Sequence, residues 1–281
     1  MGDERMKQNP FSLYDFLGYL VPGAVFLCAV VVLRRIAQQP VSWSALLVPF
    51  DVLGKVQFFV PLVLLAYVVG HLLSFISSIT VERYAIWTLG YPSRYLLGNR
   101  PGRFLCPLKA RKARAAIRIF TAVLLAPASG IEGIAAWLGF RPLYAKPLDP
   151  LLRHCIKQKV NGFASTMYDL SGLPLAKPDE ERDFFRLVYH YALENAPAHV
   201  PKMQNYVALY GFTRTLVLEG VLLFWLAVTG SVFGLVPWRV GTSLAVMSAL
   251  GAFVLYIDFI KFYRKFSLEA TMALLAVWKG K

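Results

Sequence analysis

Four apolar stretches interrupt this chain, and their lengths say what they are. Tyr14 to Leu33 and Val56 to Ser78 come before a long polar region, and Thr215 to Val236 and Val240 to Ile260 follow it. A helix needs about 20 apolar residues to cross hydrocarbon, so each stretch predicts a membrane span. The intervening region, about Glu82 to Arg214, is the only part long and polar enough to fold in water. The pattern predicts an all-α polytopic membrane protein, with four transmembrane helices as two hairpins and a cytosolic helical insert between them. Its divisions are residues 1–80, a basic interfacial or re-entrant region 81–146, a helical region 147–213, and 214–281, which ends in an amphipathic tail from Phe262.

Within these stretches, local signals place helix ends. Phe11, Ser12, Asp15 and Phe16 match a capping box with a hydrophobic staple. Pro22-Gly23 predicts a kink. The first span is too long for a signal-peptide core and lacks a small-residue cleavage site, so it is expected to be retained. In the insert, the segment from Lys109 to Ala126 is basic first and apolar later, with Ile117, Phe120, Val123 and Leu124 free to bury. After Pro127, Ser129 and Glu132 give a second capping-box spacing ahead of Ile134. Neither piece spans alone; together they form a re-entrant or interfacial hairpin, or a fifth span. Asp149-Pro150 starts a helix that runs through Leu152, Cys155, Ile156 and Val160. Another starts near Pro178, with Asp179, Glu180 and Glu181 at its positive end. A last one begins at Pro201 and runs into the third span. There Gly230 and Gly234 have the spacing for close helix contact.

The polar residues of the second span are not scattered. Tyr67, His71, Ser74, Ser78 and Glu82 recur at steps of three or four, which puts them on one helical stripe. Such a stripe faces other helices or water, not lipid. It serves either interhelical hydrogen bonding or the lining of a pore. Glu219 in the third span and Asp258 near the end of the fourth, three residues before Lys261, add to this intramembrane polarity.

Charge then orients the chain. Hydrophobic residues make up 57% and charged residues 16%, too apolar for an ordinary soluble domain. The insert holds 19 of the 30 Lys and Arg against 9 of the 16 Asp and Glu, so it carries +10 of the net +14. Of the 30 basic residues, only Arg34, Arg35, Lys55 and Arg239 lie in the two short connections. The positive-inside rule therefore puts both termini and the 81–213 insert in the cytosol. Arg34-Arg35 is the one dissenting signal. Cys28, Cys106 and Cys155 are odd in number and scattered, which argues against a disulfide framework.

No nucleotide-binding glycine loop, nucleophile elbow or His-Glu-x-x-His is present. Of the four histidines, His71, His154, His190 and His199, the only close partner is Cys155 beside His154, which does not make a zinc site. The sequence predicts no enzyme, no cofactor and no metal. Its remaining candidate is the basic cluster Arg103, Lys109, Arg111, Lys112, Arg114 and Arg118. It binds anionic lipid, or an anionic ligand such as a nucleotide signal or nucleic acid.

Phe11-Ser-Leu-Tyr-Asp-Phe-Leu-Gly-Tyr-Leu-Val-Pro-Gly23 resembles the first span of a group of uncharacterised bacterial multi-span membrane proteins. Gly70-His-Leu-Leu-Ser74 with Glu82, Gly90-Tyr-Pro92 and Tyr210-Gly-Phe-Thr-Arg214 also resemble that group, which leaves most of the insert unmatched. Proteins of this kind are encoded in anti-phage defence loci, as membrane-permeabilising effectors or as membrane sensors paired with a soluble partner. The resemblance implies a bacterial inner-membrane effector and carries over no catalytic residues. Four spans with few polar residues make a poor pore within one chain, so a conduction path is expected between subunits of a symmetric homo-oligomer. The alternative is a non-conducting anchor that recruits a soluble defence partner at the insert.

Overall fold

The computed structural model describes residues 15–38, 56–98, 112–168 and 184–279, and among them the chain is helical, with no strand. A π-helical turn, Phe16–Leu20, leads into α1 (Val21–Gln38). Then come α2 (Val56–Ser77), a second π-helical turn at Ser78–Glu82, α3 (Arg83–Leu89) and α4 (Pro92–Tyr95). Next are α5 (Lys112–Leu124), α6 (Ala126–Trp137), α7 (Arg141–Tyr144) and α8 (Pro150–Tyr168). The chain closes with α9 (Phe184–Asn195), α10 (Val200–Val232) and α11 (Trp238–Val277). The expected helix start at Ser12 and the start near Pro178, with Asp179 to Glu181, lie outside the described residues.

Among the described residues, four stretches are long and apolar enough to cross a bilayer: Phe16–Ile36, Phe59–Tyr95, Val200–Val232 and Trp238–Val277. The pair Ala115–Leu124 and Ala126–Trp137 would make a fifth only as one span, and it bends by 94° at its break. At about 1.5 Å per residue, α11 runs roughly 60 Å, twice the hydrocarbon thickness. The residues from Phe262 onward, expected as a separate amphipathic tail, therefore continue the helix of the fourth apolar stretch. The described residues form two compact units. One takes in residues up to Arg83, Ile119–Ile134 and Gly211–Phe259; the other takes in Tyr84–Arg118, Ala135–Tyr210 and Ile260 onward.

In the first unit, the start of α1 packs closely on α2. A side chain at Gly23 would overlap the Ala66 carbonyl, and one at Gly70 would overlap the Tyr19 backbone. Only glycine admits backbones this close. The contacts run in reverse order along the two helices, Tyr19 with Gly70 and Gly23 with Ala66. In the same unit, Gly241 lies where a Cβ would meet Ser231 Oγ, bringing α11 onto α10.

Several local expectations need correction. Gly234 is no helix-contact residue: it takes φ +69° just past α10 and terminates that helix. Gly230 is buried, but the side chain over it is Val236, which closes the same turn. Ser129 is not a cap, because α6 already starts at Ala126 with Pro127 in its first turn, and Ser129 Oγ reaches back to the Ala122 carbonyl at 3.2 Å. Asp149 does cap α8, its Oδ1 accepting from the Leu151 amide at 2.9 Å. In that helix Ile156 and Val160 are buried and Cys155 is exposed.

The second unit is held by packing between segments distant in sequence. Ala192, Ala196 and Met203 pack with Phe266, Ala270 and Ala273 of α11, with Phe185, Tyr189 and Tyr210 around them. Trp278 seats on α8 at Gly162, where a Cβ would lie 2.7 Å from the indole. Lys159 donates to its carbonyl at 2.6 Å and sits over its ring.

Candidate functional site

The polar stripe of the second apolar stretch splits into two parts. Its first part is aromatic. His71 stacks on Tyr19 with ring centroids 3.7 Å apart, and Tyr67 meets His71 edge-on at 4.6 Å. Tyr67 also meets Tyr19 edge-on at 6.1 Å. The glycine contact explains this cluster, since Gly70 beside His71 lets the Tyr19 backbone approach α2. His71 remains exposed beneath the stack.

The second part converges on Arg214 of α10, a residue that pattern reading had placed only at the edge of the third span. Arg214 Nε donates to Ser77 Oγ at 3.1 Å and Nη2 to the Ser74 carbonyl at 3.4 Å, while Nη1 pairs with Glu82 Oε2. Ser77 Oγ in turn donates to the Ser74 carbonyl at 2.8 Å. Ser77 is fully buried, and Arg214 and Ser74 are nearly so. Ser78 instead turns its hydroxyl onto the Phe75 carbonyl of its own helix, at 2.7 Å. The π-turn explains the exchange. A π-helical turn closes i→i+5 hydrogen bonds and so accommodates one residue more than an α-turn, which lets Ser77 share with Glu82 a face that a uniform α-helical period gives to Ser78. A planar guanidinium suits such a site, because its fork reaches a carboxylate, a hydroxyl and a carbonyl at once.

Glu219 lies five residues further along α10. It is 2% exposed, and neither carboxyl oxygen has a hydrogen-bond partner among the described residues. Arg214, the nearest cation in sequence, is engaged with Glu82. Burying a carboxyl without a partner costs several kcal/mol if it is charged and about 1–3 kcal/mol even if it is neutral. Asp258, the third intramembrane candidate, is half-buried on α11. Around the break between α5 and α6, Trp225 of α10 donates its indole N–H to the Leu124 carbonyl at 2.8 Å. That is one of the carbonyls a helix C-terminus leaves over.

Of the basic cluster, Arg103, Lys109 and Arg111 lie outside the described residues. Lys112 and Arg114 are on α5, which places them on the backbone only. Arg118 sits with its guanidinium 5.1 Å above the Trp87 ring. Among the described residues no group of three or more His, Cys, Asp or Glu is placed to hold a metal. His154 and Cys155 are both exposed on α8.

A further long-range polar contact lies in the second unit. His199 Nδ1 lies 2.8 Å from Glu269 Oε1, with Lys202 Nζ 3.9 Å from the same oxygen. No spacing rule links residues 70 positions apart. The contact depends on α11 continuing well past Ile260.

Together the apolar helices and their buried polar groups mark an all-helical membrane protein, with four helices long and apolar enough to span. No protein family, curated protein or solved structure matches the chain.

Proposed function

We propose that this chain is a homo-oligomeric, channel-like or membrane-permeabilising effector of a bacterial anti-phage defence system. It is closed at rest and opens when an anionic ligand of the nucleotide class, or a partner, engages the basic 81–213 region. In this reading the four apolar helices form two hairpins in the inner membrane, with both termini and the 81–213 insert cytosolic, and the chain is no enzyme. The resemblance at Tyr14-Asp15 and Pro22-Gly23 supplies the defence context. The observation that carries the reading is Glu219, a buried carboxyl with no hydrogen-bond partner among the described residues, in a helix of spanning length. Ionisable groups in spans are costly and are kept for function by default. The exposed His71 beside Tyr19 and Tyr67 suits a face that a neighbouring subunit covers.

Purified protein in liposomes under a potassium gradient tests this. Depolarisation on adding an extract of phage-infected cells, absent for Glu219→Leu, is the expected result. No flux with any activating fraction removes the reading.

The Arg214 tie favours a second reading, a non-conducting sensor or anchor that recruits a soluble defence partner. Ser74, Ser77 and Glu82 are occupied in holding α2 to α10, which is a structural use of the stripe. Here a co-purifying protein is lost when exposed residues of α8 are replaced, while Tyr67, His71 and Glu219 tolerate substitution.

A further inference from the structure

Between the end of α6 and the start of α8, the second unit carries an apolar surface on a segment that is held firmly in place. Trp137 is 84% exposed, Leu143 82% and Leu151 73%, with Leu138 and Phe140 also outward. The segment is pinned from behind by Tyr144 and Leu148, both buried. Its turns are closed by backbone bonds: Phe140 to the Ala135 carbonyl at 2.8 Å, Leu143 to Phe140 at 3.0 Å and Ala145 to Arg141 at 3.0 Å. The Leu148 amide reaches the Leu96 carbonyl at 3.1 Å, and Arg264 Nε donates to the Lys146 carbonyl at 3.2 Å. Pro142, Pro147 and Pro150 have no amide hydrogen to satisfy. Few backbone donors therefore point outward with the apolar side chains, a property water does not require and hydrocarbon does.

Charge narrows the occupant. From Gly133 to Leu148 the sequence contains Arg141 and Lys146 and no acidic residue. At its edge, the Asp149 carboxylate caps α8. With Arg141 and Lys146 against Asp149 the surface is net positive, which opposes its own copy in a symmetric contact but suits an anionic headgroup layer. An exposed Trp at a helix end, Phe and Leu beside it, and flanking basic residues are the composition of a segment lying in a bilayer interface. The segment also continues directly from α5 and α6, the bent pair apolar enough to count together as a span.

We infer that Trp137 to Leu151 is a monotopic membrane anchor: its apolar side chains enter the headgroup–acyl boundary, and Arg141 and Lys146 meet anionic lipid phosphates. The inference rests on the membrane class alone, so a chain that conducts nothing still has this anchor.

The test uses full-length protein in which Cys28, Cys106 and Cys155 are replaced by serine and Leu143→Cys carries a bimane label. It is reconstituted in vesicles of phosphatidylglycerol and phosphatidylcholine. Leu138→Cys is the second site, should the first disturb the turn. Lys157→Cys, on an exposed position of α8, supplies the aqueous reference. The anchor predicts loss of bimane fluorescence with lipids brominated near the carbonyl end, and shielding from aqueous iodide relative to the Lys157 site. Lys146→Glu or phosphatidylcholine-only vesicles should weaken the bromolipid quenching. Iodide quenching without bromolipid quenching overturns the inference, because the face is then in water. Shielding from both quenchers also overturns it, because a protein then covers the face. Flux through the same vesicles, measured in parallel, keeps this outcome separate from that of the channel reading.

Discussion

Arg214 meets a carboxylate, a hydroxyl and a carbonyl with one side chain, and Glu82 is the only one of the three that carries charge. Arg214 is buried and Glu82 partly so, and the cost of about 3–5 kcal/mol for stranding one member of a fully buried ion pair is an upper bound for this one. Arg214→Met should therefore lower the thermal midpoint in detergent sharply, and the double variant Arg214→Met/Glu82→Met should recover much of the loss. Arg214→Lys should fall between, since a lysine meets the carboxylate but loses the fork that also reaches Ser77 and Ser74. Glu219 calls for the opposite result. With no hydrogen-bond partner among the described residues to lose, Glu219→Leu should leave the thermal midpoint unchanged or raise it, while removing any ion flux. A fall comparable to that of Arg214→Met would mean that Glu219 has a structural partner. Sequence reading reached this site in part. The stripe itself was visible as a helical period, but that period assumes regular winding, and the turn at Ser78–Glu82 is where the winding changes. Ser77 was therefore missed in favour of its neighbour, and Arg214 stood out only as a charge flanking a span.

For the helices, the glycines distinguish close contact from open surface. A Cβ at Gly70 overlaps the Tyr19 backbone, whereas one at Gly130 in α6 meets nothing within 4 Å. Gly70→Ala should then destabilise, in the range of about 1–3 kcal/mol typical of overpacking or beyond it, and Gly130→Ala should stabilise by up to about 1 kcal/mol through helix propensity. Thermal midpoints measured side by side decide whether the signs differ. Most helix existence was legible, because apolar runs near 20 residues and Asp149-Pro150 are strong local signals. Helix ends were less so. Gly230 and Gly234 match a contact spacing and a chain-reversal spacing equally well, and only the backbone angle at Gly234 separates them.

Across the molecule, the linear division of the chain and the units it folds into do not coincide. The stretch from Phe262 reads as an amphipathic tail, yet its inner face supplies Phe266, Ala270 and Ala273 to the core around Met203. Ending the chain at Lys261 should therefore expose 184–210 to limited proteolysis while leaving the contact of α1 with α2 intact. Protection of 184–210 in the truncated protein would show that this core stands without α11. Long-range partners of this kind, such as Lys159 with Trp278, leave no period or motif in a single sequence, since each residue is ordinary for its own helix.

Phe266, Ala270 and Ala273 also lie far along the chain from Ala192, Ala196 and Met203, the residues they pack against. Contacts of high sequence separation reward the chain only after the intervening segment has been closed into a loop, at an entropic cost. The core around Met203 is therefore expected to be a late step of folding, behind the helices that form from local contacts.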